Sequence, residues 1–116
     1  MNVALVTGTL SSPPRTRSLP SGSKLVRYEV TTEVSDGSRP SVPAVWLDPS
    51  RPPTLAKGDA VTVVGVVRRR FFRAGGATQS RTEIEATTVA RTGSARAVKA
   101  VRAAAAEFDG TVGERI

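Results

Sequence analysis

The sequence contains no cysteine and no histidine. Without thiols there are no disulfides, no thiolate nucleophiles and none of the usual zinc-ligand sets, and without imidazole the commonest general base is missing. Carboxylates do not gather either. Glu83 and Glu85 share one face of an expected strand with no third acidic residue close by, the pattern of a solvated strand face. No acid–base pair, nucleophile or metal set is visible, so neither catalysis nor a cofactor is expected. Apolar runs fall far short of the ~20 residues that span a bilayer. The opening MNVALVTGTLSSPPRTR lacks the basic segment and long apolar stretch of a signal peptide, so a cytoplasmic, nucleoid-associated location is expected. Aromatics are scarce at 4%, with one Trp, one Tyr and three Phe. Lysine is scarce too: Lys24, Lys57 and Lys99 are the only ones.

What is abundant is arginine. Lys and Arg total 17 against 10 Asp and Glu, a formal charge of +7, which favours a polyanionic partner such as nucleic acid. The guanidinium group holds phosphate bidentately and stacks on bases, so an arginine-dominated charge suits nucleic acid better than solubility alone. At 116 residues the chain fits one domain. Its 39% hydrophobic content supports a modest core, and self-association is expected to add to it.

Alternating or short β-branched apolar patterns predict strands over Val3–Leu10, Leu25–Glu33, Val42–Asp48, Ala60–Phe72 and Thr78–Val89. The last two flank Ala74-Gly75-Gly76-Ala77 and should form a hairpin. The intervening segments SSPPRTRSLPSGS, SDGSRP and DPSRPPTLAKGD read as loops. Five strands with a longer crossover between the third and fourth match an all-β, five-stranded Greek-key barrel of the OB-fold type. An SH3-like barrel or an open sheet is the alternative. Pro49, Pro52 and Pro53 oppose a helix in the crossover and leave at most one turn near Leu55. A helix is expected after the barrel, capped by Ser94, running to Phe108 and ended by Gly110. Val98, Val101, Ala105 and Phe108 form its apolar face, and Arg96, Lys99 and Arg102 a second stripe, either solvated or facing DNA. The expected organisation is thus a nucleic-acid-binding barrel over residues 1–91 and a C-terminal helix with a short tail over 92–116.

The segment VTVVGVVRRRFFR, residues 61–73, carries the chemistry. If Val61, Val63 and Val67 point inward, with a bend at Gly65, then Arg68, Arg70 and Phe72 share the outer surface. Cations that neutralise phosphates beside a ring that accepts any base are what sequence-tolerant single-strand binding requires. A charged edge strand protected from aggregation is the plainer reading of the same residues. Phe71 and Arg69 have the opposite parity; Phe71 is expected in core or hairpin packing, and Arg69 beyond the closed end of the barrel. Trp46, alone on the third strand, is equally a core residue or a second stacking ring. Arg15 and Arg17 in the first loop, Arg27 on the second strand, and Arg73 and Arg81 around the hairpin extend the basic track.

From residue 2 to about residue 90 these features resemble the bacterial single-stranded DNA-binding protein family. The resemblance rests on Asn2-Val3 leading to Gly8-Thr9-Leu10, on Pro14, Arg17, Pro20, Ser21 and Gly22, on Thr31 and Thr32, on LAKGDAVTVVGVVRRR at 55–70, and on Thr82-Glu83-Ile84. It implies base stacking at Phe72 and at Trp46, phosphate contacts at Arg68 and Arg70, and a homotetramer or dimer whose assembly uses the N-terminal strand. Three features depart from the family. Ser41-Val42-Pro43 stands where a stacking aromatic is usual, the crossover helix gives way to prolines, and the long tail with an acidic tip has no counterpart in GTVGERI at 110–116. The expected function is sequence-independent single-stranded DNA binding in replication, recombination or repair. An OB-fold adaptor in a primosome-like complex and an RNA-binding module remain alternatives.

Overall fold

A computed structural model describes residues 1–114; Arg115 and Ile116, the end of the expected tail, lie outside the described residues. The elements are β1 (Ala4–Leu10), β2 (Arg15–Ser18), β3 (Lys24–Thr31), β4 (Ser41–Leu47), β5 (Ala60–Ala74), β6 (Ala77–Arg91) and α1 (Ala95–Glu114). The expected strands are all present, and β2 is an addition within what reads as a loop. The sheet runs β1-β5-β6-β4-β3-β2 and closes by a β1–β3 pairing, so β1, β5, β6, β4 and β3 form the barrel. β1 meets β3 only through Thr9 and Leu10, and β2 takes up the rest of that edge by pairing Arg15–Ser18 with Arg27–Lys24. β6 lies parallel to β4 through Ala44–Ile84 and Val45–Glu85, while the other pairings are antiparallel.

The period-2 pattern of β3 buries Val26, Tyr28 and Val30, and these pack with Leu10, Ala44, Trp46, Val61, Val63, Ile84, Ala86 and Val89. Burial pushes the Tyr28 hydroxyl up to about 12, against the opposing pull of the Arg96 charge. The crossover between β4 and β5 forms no helix, as its prolines require, and Leu55 packs onto the core from it. Asp59 holds the end of that crossover by accepting from Ala56 N at 2.7 Å, and Asp48 holds its beginning by accepting from Lys24 N at 2.8 Å. Those backbone donors hold both carboxyls below their usual range.

β5 and β6 run on well beyond the barrel as a two-stranded arm. Gly75 and Gly76 close it, with φ of 59° and 79°, the pair of left-handed residues that a type I′ hairpin turn demands. At its root the register shifts between Val64 and Gly65, leaving Thr87 as the extra residue, and the Thr87 hydroxyl donates to Val64 O at 3.2 Å. A Cβ at Gly65 would overlap the Glu85 carbonyl oxygen, so glycine lets the two strands approach here. Asn2 braces the other edge: its side chain donates to Val67 O and accepts from Val67 N, both at 2.8 Å.

Helix α1 begins as expected, with Ser94 Oγ accepting from Ala97 N at 3.1 Å. It does not stop at Gly110 but continues to Glu114. The buried face also differs from the expected one. Ala97 is buried and Ala100, Val101 and Ala104 are half-buried, whereas Val98 and Phe108 are exposed. Small side chains let the helix come close to Val64 and Thr88 on the outside of the sheet, a fit the larger residues would prevent. Among the described residues no helix is long and apolar enough to cross a membrane.

Candidate nucleic-acid interface

Alternation along β5 places Val66, Arg68, Arg70 and Phe72 on the front of the arm and Val67, Arg69, Phe71 and Arg73 on its back. The inward parity of Val61 and Val63 holds, but Val67, expected with them, is exposed because the strand has already left the barrel. Phe71, expected in packing, is 69% exposed for the same reason, and Phe72 on the front is 45% exposed. Arg69 lies exposed beyond the barrel, and Arg73, at the arm's tip, donates to Gly76 O at 3.2 Å.

The front of the arm faces the β2–β3 ribbon. Between them lies a groove of about 340 Å³ lined by Arg17, Arg27, Arg70, Phe71, Phe72, Arg81 and Glu83. Arg15 and Arg17 on β2 stand directly across from Arg27 and Leu25 on β3, so all four share one face. Of the arginines singled out from sequence, Arg17, Arg27, Arg70 and Arg81 thus converge on one groove with Phe72. Arg15 and Arg68 flank it, and Arg73 stays at the tip.

Electrostatically these arginines fall into two sets. Arg68 pairs with Glu85 at 2.5 Å, Arg70 with Glu83 and, more distantly, Glu85 at 3.8 Å, and Arg81 with Glu29 at 2.8 Å. Among the described residues Arg15, Arg17, Arg27 and Arg69 have no carboxylate partner. The glutamates are the residues that sequence reasoning missed. Glu83, expected on a solvated face, has a side chain only 1% exposed. The signal was present: counting outward from the two-glycine turn sets Arg68 opposite Glu83 and Val66 opposite Glu85.

Trp46 is a correction. It belongs to the core cluster at 7% exposed, and the Arg96 guanidinium lies over its ring, 5.2 Å from the centroid. With one side in the core and an arginine over the ring, no open surface is left for a base. Arg96 is equally not a DNA-facing member of a helical stripe, since it donates to Arg51 O at 2.6 Å and Ser50 O at 2.9 Å and so ties α1 to the crossover.

No family model matches the sequence, and no curated protein matches it. Solved structures do. The single-stranded DNA binding protein from Thermus aquaticus superposes with a TM-score of 0.63 at 20% identity, over 81% of this chain and 41% of that one. The N-terminal domain of PriB from Thermoanaerobacter tencongensis, a dimeric structure, superposes with a TM-score of 0.62 at 14% identity, over 80% of this chain and 98% of that one. The fold is therefore an OB fold of the kind found in both. The match spans less than half the length of the Thermus aquaticus protein.

Proposed function

We propose that this chain binds single-stranded DNA in a sequence-tolerant way, along the groove between the arm and the β2–β3 ribbon, to coat exposed strands in replication, recombination or repair. The observation that carries this reading is the set of uncompensated arginines there. Arg15 and Arg27 are cross-strand neighbours with no carboxylate between them, an arrangement that is unfavourable without an anion. Arg17 and Arg27 line the groove together with Phe72, so phosphates and one base face can be held at once. In OB folds oligonucleotides lie across the face formed here by β3 and β4, between the loops that here contain β2 and the arm. The likeness to single-stranded DNA-binding protein and PriB supports the same reading. Arg69, on the back of the arm, lies away from this path, whereas Phe71 also lines the groove.

Fluorescence anisotropy with a labelled mixed-sequence single strand tests it, with duplex DNA and matching RNA as competitors over a range of salt. Binding that weakens with salt and is displaced poorly by both competitors is expected. Equal displacement by RNA would change the ligand, and binding without single-strand preference would turn attention to a protein partner.

A further inference from the structure

Glu83 lines the groove beside Arg70, Phe72 and Arg81, yet neither of its carboxylate oxygens accepts a hydrogen bond. Among the described residues its one ion-pair partner is Arg70, whose Nε faces Oε1. An ionised carboxylate has roughly four acceptor positions, so Oε2 and part of Oε1 stand open in a side chain that is 1% exposed. Buried polar atoms in this condition are uncommon in folded proteins and costly. Arg70 is half-exposed on a two-stranded arm and can turn toward a phosphate in the groove. With Arg70 turned away, and with Arg68 and Arg81 held by Glu85 and Glu29, a group that enters with that phosphate can supply a donor to Glu83.

We infer that Glu83 reads the base held at Phe72 by accepting a hydrogen bond from its exocyclic amine, so that one position along the bound strand favours amine-bearing bases. The inference rests on the single-strand reading above and adds a base preference to it. Carboxylates accept from the cytosine N4 amine. Thymine and uracil carry a carbonyl at the same ring position, and an oxygen facing a buried carboxylate is repelled. Stacking and phosphate contact remain sequence-tolerant, so the preference is modest and local.

The test compares short oligo-deoxycytidine and oligo-deoxyuridine, pyrimidines of equal size, by anisotropy at one pH and salt. A third strand of N4,N4-dimethyl-deoxycytidine keeps the ring and removes the donors. The unaltered protein should prefer deoxycytidine by about three- to ten-fold, the worth of one hydrogen bond, and the dimethylated strand should lose that advantage. Glu83→Gln, checked for folding by circular dichroism and urea melting, should bind both strands about equally, because a carboxamide offers a donor to uracil and an acceptor to cytosine. Equal binding of the two strands by the unaltered protein overturns the inference, as does a preference that survives dimethylation or Glu83→Gln. Absence of binding to every single strand would overturn the reading on which it rests as well. If Glu83→Gln does not fold, the dimethylated strand decides with the unaltered protein.

Discussion

Arg70 sits over Glu83 on the front of the arm, the half-exposed member of the ion pair covering the buried one. Sequence parity alone makes Arg70 a phosphate contact, but its partner gives it a structural duty too. Removing Arg70 leaves a buried carboxylate without a counter-charge. Exposed pairs contribute ~0–1 kcal/mol and breaking fully buried ones costs ~3–5 kcal/mol, so a pair open on one side should cost about 2 kcal/mol. Arg70→Ala should therefore lower the urea midpoint, and Arg70→Ala combined with Glu83→Gln should recover much of the loss. If Arg70→Ala melts like the unaltered protein, the pair does not carry stability.

The unpaired arginines behave in the opposite way. Arg15 and Arg27 repel one another across β2 and β3, so Arg15→Ala should leave folding unchanged or slightly improved. The same substitution should weaken single-strand binding for every sequence and reduce the salt slope by about 0.7, the value for one lost phosphate contact on a single strand. Arg17→Ala and Arg27→Ala should act alike. A variant with normal affinity and normal slope would remove that arginine from the interface.

The two phenylalanines of the arm separate stacking from general apolar contact. Phe72 lies on the front with Arg70, and Phe71 on the back with Arg69. Phe72→Ala should weaken binding of a short oligonucleotide by ~1–3 kcal/mol, the contribution of one stacked base. Phe71 also lines the groove but has the opposite parity, so Phe71→Ala should weaken that affinity less than Phe72→Ala does. Both residues are exposed, so neither change should lower the melting temperature appreciably. A larger effect from Phe71→Ala would place the strand on the back of the arm.

Strand positions were legible because β-branched residues and turn residues alternate clearly: the Gly75-Gly76 turn fixes the hairpin, and the prolines rule out a crossover helix. Four things were not. Parity assigns Val67 and Phe71 to an interior, but it carries no information about where the barrel ends and the arm begins. Counting from the turn sets Arg68 opposite Glu83, so the diagonal pairing of Glu83 with Arg70 does not follow from register. The helix face could not be read because the long residues Val98 and Phe108 dominate the pattern, whereas Ala97 and Ala100 make the contact through their smallness. β2 was hidden because Arg15–Ser18 has no apolar alternation and owes its strand form to the edge that β1 leaves open on β3.

Trp46 provides a check that needs no substitution. As the single tryptophan, it reports its surroundings without interference. A ring in the core beneath Arg96 should emit at short wavelength, resist quenching by iodide, and change little when the groove is saturated with oligonucleotide. A base stacked directly on it would instead quench it strongly, which would return Trp46 to the interface. Truncation should separate the same possibilities, since Trp46→Ala removes a large core side chain and should cost about 3–5 kcal/mol of stability. Trp46→Phe, which keeps most of the volume, should preserve folding and leave single-strand affinity unchanged, because the ring supports the barrel and the Arg96 tie to Ser50 and Arg51 rather than the strand.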